Sequence, residues 1–270
     1  MFAIGVPMSA GLGTGELADL IGGIGTPAFA PALTALLRTV APFTYCVVFG
    51  YCGAARPIDL YDDFPAGKRA IFVSDYQSGP YLLDPFYLAC ARPAAPGLYR
   101  MKDVAPDRFY QGEYFRNYYI QTGLAEEIGY FAGIAGGGMV VLSLMRAERV
   151  FSARAFRALD TATPVVLAAI CKHWHDLPQR FSPVASGAGA GSQDLNRAFA
   201  GFGQQLLTAR EREVVEYTLK GHSAEATGII LAIAPGTVRI HRRNIYAKLR
   251  ITSQGELFAL FLQTVLAPKA

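Results

Sequence analysis

Two stretches of the 270-residue chain carry residue types that could do chemistry. The first is GTVRIHRRNIYAKL, residues 236–249, where Arg239, Arg242, Arg243, Lys248 and His241 are threaded between aliphatic residues. Guanidinium groups suit anionic partners. An arginine can also give two hydrogen bonds to guanine O6 and N7, worth roughly 1–3 kcal/mol of discrimination between bases. The second is YLLDPFY, residues 81–87, where Asp84 sits among aromatic residues. It opens a segment unusually rich in rings: residues 76–131 include Tyr76, Tyr81, Phe86, Tyr87, Tyr99, Tyr114 and Tyr119, with Glu113, Glu126 and Glu127 among them. An apolar, aromatic cavity with few polar groups is what a small-molecule site needs, and rings beside carboxylates could hold a cation.

Other chemistries are poorly supported. His173 and His175 in HWHD are two residues apart and diverge on a helix, so they do not form a metal pair. Cys46, Cys52, Cys90 and Cys171 lack metal-ligand spacing and any disulfide framework. No Ser-His-Asp or Cys-His arrangement and no glycine-rich phosphate loop ending in Lys-Ser/Thr is present. Asp62-Asp63 follows a candidate strand, but the later lysine of a phosphoreceiver has no counterpart. The expectation is a non-catalytic protein with no cofactor and no metal.

These groups must be positioned by two different kinds of element. Helical spacing marks residues 16–40, with a break at Gly25-Thr26-Pro27. Tyr45–Tyr51 reads as a strand and 57–60 as a second; 68–77 and 84–91 read as short helices and 107–121 as a longer one. Residues 126–134 and 139–146 flank Gly136-Gly137-Gly138 as an antiparallel hairpin, and Ser152 caps a long helix that Pro164 is expected to kink. Strand pairs interrupted and closed by helices predict an α+β domain over 15–180, an antiparallel sheet with helices in the GAF/PAS-like class. Residues 181–203, whose core FSPVASGAGAGSQD is rich in small residues, read as a linker. Residues 204–270 hold 9 Lys+Arg against 5 Asp+Glu. The rest holds 25 − 9 = 16 against 21 − 5 = 16, so the tail carries the whole net charge of +4. An anionic partner is therefore expected for the tail alone. The apolar N-terminus lacks a basic region, and the charge-free run 129–145 is too short for a membrane span. A cytoplasmic protein without membrane contact is the expectation.

In residues 204–267, Thr208 and Glu211 have capping-box spacing, Gly221 ends a first helix, Ser223 caps a second, Thr237 opens a third through Leu249, and Ser253 caps a fourth. Val238, His241, Ile245 and Leu249 fall on one face of the third helix. This all-α four-helix arrangement has the layout of a helix-turn-helix. Over about sixty residues it resembles the LuxR/FixJ-type DNA-binding domain. The match runs through Leu207, Thr208, Arg210, Glu211, Val214, Gly221, Ser223, Thr237, Val238, His241, Asn244, Ile245, Lys248, Leu249, Glu256 and Leu257. The resemblance implies double-stranded DNA as partner, with Arg239, Ile240 and Arg243 toward bases. Thr237 and Arg242 are expected beside them and Lys248 on phosphate. It also implies a dimer contact in the fourth helix through Leu257, Leu260 and Phe261. Departures occur at Ala226-Thr227-Gly228, Ile229, Ile230, Ala232 and Ala234. They predict a softer second helix with an apolar patch.

The first 180 residues resemble the sensor half of solo LuxR-type regulators. Asp84-Pro85 is similar to the Asp-Pro of acyl-homoserine lactone receptors, but Ile71 and Asp75 stand where those receptors place a tryptophan and a tyrosine. The resemblance implies a small organic ligand held by Asp84, Tyr76, Tyr81, Phe86, Tyr87 and Tyr99. It also implies a ligand-responsive, sequence-specific transcriptional regulator acting as a homodimer, with RNA polymerase a further partner. The alternative is control by a partner protein, or an anti-activator, with no small-molecule ligand.

Overall fold

The computed structural model describes residues 13–53, 55–91, 94–117, 119–181 and 199–266. Most of the expected linker lies outside the described residues. The chain opens with α1 (Thr14–Gly23) and α2 (Phe29–Val40), separated at Gly25, whose φ of +81° suits glycine. Five antiparallel strands follow: β1 (Tyr45–Tyr51), β2 (Ile58–Asp62), β3 (Gly97–Arg100), β4 (Glu126–Gly133) and β5 (Met139–Arg146). They form one sheet in the order β2-β1-β5-β4-β3, with β4 and β5 joined across the glycine turn.

Both faces of the sheet are covered, and the period-two alternation decides which residue faces which layer. Cys46, Val48, Ile128, Tyr130, Leu142 and Leu144 face α1, α2 and the long helix α8 (Ala153–His173). Val47, Phe49, Tyr51, Phe131, Val141 and Met145 face the segment between β2 and β4. Ser152 caps α8 by accepting the Ala155 N–H at 3.1 Å, and the helix continues across Pro164.

The segment over the second face is more broken than its sequence suggests. Helix α3 (Ala66–Arg69) continues through a π-helical stretch, Ala70–Asp75, into α4 (Tyr76–Ser78), a widened stretch of the kind found at functional sites. Helices α5 (Pro85–Ala91) and α6 (Met101–Val104) flank the edge strand β3, which is too short to show alternation and was not expected. The predicted helix over 107–121 is instead a 3₁₀ turn (Phe109–Gln111), α7 (Glu113–Asn117) and a second 3₁₀ turn (Tyr119–Thr122). Gly112 breaks it with extended backbone (φ −75°, ψ 160°), where a side chain would crowd the Phe109 carbonyl at 3.1 Å.

After α9 (Leu177–Arg180), the C-terminal region comprises α10 (Ala209–Leu219), α11 (Ala224–Leu231), α12 (Pro235–Leu249) and α13 (Gln254–Leu266). The capping box at Thr208 and Glu211 and the Ser223 cap form as expected. Helix α12 starts two residues before Thr237, with Pro235 in its first turn, where a missing N–H costs nothing. This region is docked on the sheet domain. The Arg108 N–H donates to the Gly221 carbonyl at 3.0 Å, and the Asp107 carboxylate accepts the Ser223 N–H at 3.0 Å. One continuous apolar core runs from Phe49 and Phe131 through Phe109 and Tyr114 to Val214, Phe258 and Phe261.

Candidate functional site

Two sites are built on this frame. The first is a cavity between the inner face of the sheet and the broken segment. β1 gives Val47, Phe49 and Tyr51; β4 and β5 give Glu127, Ser143 and Met145; the covering segment gives Phe72, Tyr76, Asp84, Tyr114, Tyr119 and Thr122. Sheet residues reach it because Glu127 and Ser143 point to the same face as Val47 and Phe49. The space open to the centres of water-sized molecules is about 40 Å³.

Its polar groups form a chain. The Tyr51 and Tyr76 hydroxyls lie 3.1 Å apart, and Tyr76 donates to Asp84 Oδ2 at 2.6 Å. Asp84 Oδ1 accepts the Phe86 N–H at 2.9 Å, so the same carboxylate closes the N-terminus of α5, where Pro85 follows it. Across the cavity Glu127 is hydrogen-bonded by Ser143 and Tyr119. Burial pushes both carboxyls above the usual carboxylate range. The Asp84 charge raises Glu127 further, while hydrogen bonds from Tyr76 and the Phe86 N–H partly offset the rise at Asp84.

Of the six residues expected to bind a ligand, the structure brings Asp84 and Tyr76 to the cavity lining. The other four do not line it, although Tyr81 packs on Tyr76 and Tyr87 on Tyr51 behind the lining. Tyr81 and Tyr87 meet edge to face at 5.0 Å, Phe86 packs edge to face on Phe131, and Tyr99 donates to the Ala95 carbonyl at 2.8 Å while its ring packs on Phe131. Phe86 and Tyr87 follow Asp84 in sequence, but α5 turns their rings into the core. Phe49, Tyr51, Ser143 and Met145 escaped notice because they lie on distant strands; their strand alternation was the only available signal.

The HWHD residues are structural. His173 Nδ1 accepts the Gly25 N–H at 3.0 Å and its ring stacks on Phe29 at 4.0 Å, while His175 Nδ1 meets the Lys172 carbonyl. Among the described residues no group of three or more His, Cys, Asp or Glu could hold a metal ion.

The second site is α12. Val238 and Ile245 are fully buried and His241 and Leu249 half-buried, which fixes the orientation of the helix. Thr237, Arg239, Ile240 and Arg243 are exposed on the opposite side, with Ile240 51% exposed despite its apolar side chain. Arg239 pairs with Glu225 of α11 at the surface. Arg242 is different: its Nε donates to the Thr218 hydroxyl at 3.0 Å and its Nη2 to the His222 carbonyl at 2.9 Å. It ties α12 to the end of α10 rather than facing outward. Lys248 donates to Glu211 at 2.7 Å and so joins α12 to the capping box. Together with the Thr208 hydrogen bonds, it holds the Glu211 carboxyl below its ordinary range against the rise from burial.

In the scaffold helix α11, Gly228 has a packing reason that its sequence does not display. A Cβ at Gly228 would stand 2.7 Å from the Ile233 carbonyl oxygen, so glycine here allows the tight approach of the turn, which the Ile233 N–H closes on the Gly228 carbonyl at 2.9 Å. Ala232 takes the left-handed conformation (φ 53°, ψ 46°) at the helix end. The apolar patch is real, with Ile229 83% and Ile230 43% exposed. In α13, Leu257 and Phe261 are buried inside the chain, Phe261 stacked on Phe199 at 4.6 Å, so these two side chains are committed internally.

Residues 205–261 match the family described as bacterial regulatory proteins, luxR family. The chain is 32% identical over 187 residues to the Aeromonas salmonicida protein named "Putative HTH-type transcriptional regulator in exeN 3'region", covering 66% of this chain and 93% of that one. The response regulator protein TodT of Pseudomonas putida is 34% identical over 53 residues, 20% of this chain and 23% of TodT. In fold, the chain resembles the VqsR LBD domain from Pseudomonas aeruginosa, with a TM-score of 0.52 and 25% identity over 60% of this chain and 95% of that one. With the helix-turn-helix geometry of α11 and α12, these likenesses make the chain a transcriptional regulator of the LuxR family.

Proposed function

We propose that this regulator binds double-stranded DNA through the exposed side of α12 and answers to a small organic ligand in the sheet-domain cavity. The exposure of Arg239, Ile240 and Arg243 on the side of α12 opposite Val238 and Ile245 carries the DNA reading. The N-terminal half of such a helix reads base edges in the major groove. Arg239 would exchange its surface pair with Glu225 for a base, a small loss because exposed pairs are worth little. Thr237 is suited to phosphate, Lys248 would have to exchange its bond to the buried Glu211 for a phosphate, and Arg242 holds the helix in place. Binding as a homodimer gives two such helices for two half-sites.

The ligand reading rests on Asp84 and Tyr76 reaching an aromatic cavity. The same segment that lines the cavity through Tyr114, Tyr119 and Thr122 also touches the helix-turn-helix at Asp107 and Arg108. A ligand that moves this segment changes the placement of α12. A cytoplasmic setting and contact with RNA polymerase follow from the same reading.

Footprinting and fluorescence anisotropy on DNA from the region upstream of the gene test the DNA arm. Arg239→Ala and Arg243→Ala should each lose about tenfold or more in affinity, with melting temperature retained. Arg242→Ala should instead lower the melting temperature. Equal affinity of the wild type and both outward-facing variants at low salt would remove the DNA assignment of this face.

A further inference from the structure

The cavity holds two carboxylates and no cation. Asp84 and Glu127 are each 7% exposed and line the same space from opposite walls. Neither takes part in an ion pair among the described residues. Lys68, beside the rim, gives its Nζ to the Thr122 carbonyl instead, at 3.1 Å. The partners of the two acids are neutral: Tyr76 and the Phe86 N–H for Asp84, Ser143 and Tyr119 for Glu127. Buried carboxyls without a counter-charge avoid the cost of ionising by keeping their protons, and a cation between the two would supply the counter-charge that lets them ionise.

A neutral ligand with one amide N–H would satisfy one carboxylate and leave the other uncompensated. The walls favour a cation as well, since Phe49, Tyr51 and Tyr76 present rings around the acids, and ring faces attract ammonium groups. The size is restrictive. A space of about 40 Å³ for water-sized centres compares with roughly 10–15 Å³ for one water. It admits a compact head group of a few heavy atoms.

We propose that the cavity takes a small organic cation, a primary alkylammonium whose nitrogen sits between Asp84 and Glu127 and whose short chain lies against the aromatic wall. This deepens the ligand reading above and rests on it. The three N–H donors of an ammonium match the acceptors offered by two carboxylates, and the pair selects charge where a single aspartate would select only a donor.

Thermal-shift and calorimetric titrations of the full chain should use n-butylamine against its uncharged counterparts 1-butanol and N-methylbutanamide, with a second panel of neutral acyl amides and lactones. The amine should raise the melting temperature by about 5 °C at a hundredfold excess over its Kd, and the uncharged counterparts should not. Glu127→Gln and Asp84→Asn keep the shape while turning one acceptor oxygen into an NH2 donor that a neighbouring hydroxyl can accept, and each should weaken amine binding by about tenfold or more. Their own melting temperatures, at or above that of the wild type, would show that they fold. Equal binding of butanol and butylamine, or amine binding unchanged in both variants, overturns the cation proposal. Binding confined to the neutral panel overturns it while leaving a ligand-responsive regulator. Silence from every compound overturns the proposal and counts against the ligand reading itself.

Discussion

At the scale of single residues, backbone geometry and side chain pull in opposite directions at Gly228 and Ala232 of the helix-turn-helix. Gly228 lies within a helix, where glycine costs about 1 kcal/mol relative to alanine. The Ile233 carbonyl nevertheless stands so close that a methyl group there would collide with backbone at 2.7 Å. Ala232 shows the reverse: a left-handed φ of 53° on a residue with a Cβ, at a strain cost of roughly 1 kcal/mol. Gly228→Ala should therefore destabilise the protein by about 1–3 kcal/mol despite the better helix propensity, because the turn must open. Ala232→Gly should stabilise it by up to about 1 kcal/mol. Denaturant melts of the two variants check both signs. If Gly228→Ala is as stable as the wild type, the close approach does not constrain the turn.

At the scale of elements, the sheet and its covering segment are joined through Asp84 and Glu127, which come from opposite layers. Glu127 is pushed up to about 8 and Asp84 to about 6, each first by burial and Glu127 next by the Asp84 charge. Their neighbours Tyr51, Tyr76, Tyr119 and Cys90 are themselves raised and stay neutral in this range. Above the ordinary carboxylate range, around pH 4.5, the unfolded chain has released these protons while the folded chain still holds them. Stability from this source is therefore complete below about pH 4.5 and is lost as pH rises through about 8. His173, whose value is lowered by burial, works in the opposite direction below about pH 6.5, so the informative quantity is the difference between variants. Glu127→Gln should melt close to the wild type at pH 5 and roughly 5 °C higher at pH 8. A constant difference across pH 5–8 would mean that Glu127 is ionised throughout.

At the scale of the whole molecule, the sequence disclosed parts and hid their junction. β1, the β4–β5 hairpin, α8 and the helix-turn-helix were legible because each has a local signature: a β-branched run, a glycine turn, a serine cap, a capping box. The cavity was only half legible, because its floor is assembled from β1, β4 and β5 by pairing that no local spacing encodes. The neutral body and basic tail also suggested two units on a linker, whereas Phe109, Tyr114, Val214, Phe258 and Phe261 belong to one core. Asp107 is the polar fastening of that junction. It is exposed, yet its carboxylate accepts the Ser223 N–H, and the Ser223 contacts keep its carboxyl low against the opposing effect of burial. Asp107→Ala removes this bond without touching the Ser223 cap of α11, whose hydroxyl still accepts the Ala226 N–H. Hydrogen exchange at Ser223 should then accelerate about tenfold or more, with the Arg108 amide following because its bond to Gly221 depends on the same docking. Amides of β4 and β5 should keep their protection. Unchanged exchange at both Ser223 and Arg108 would mean that apolar packing alone holds the two regions together, and the route from cavity to α12 would then run through Phe109 and Tyr114.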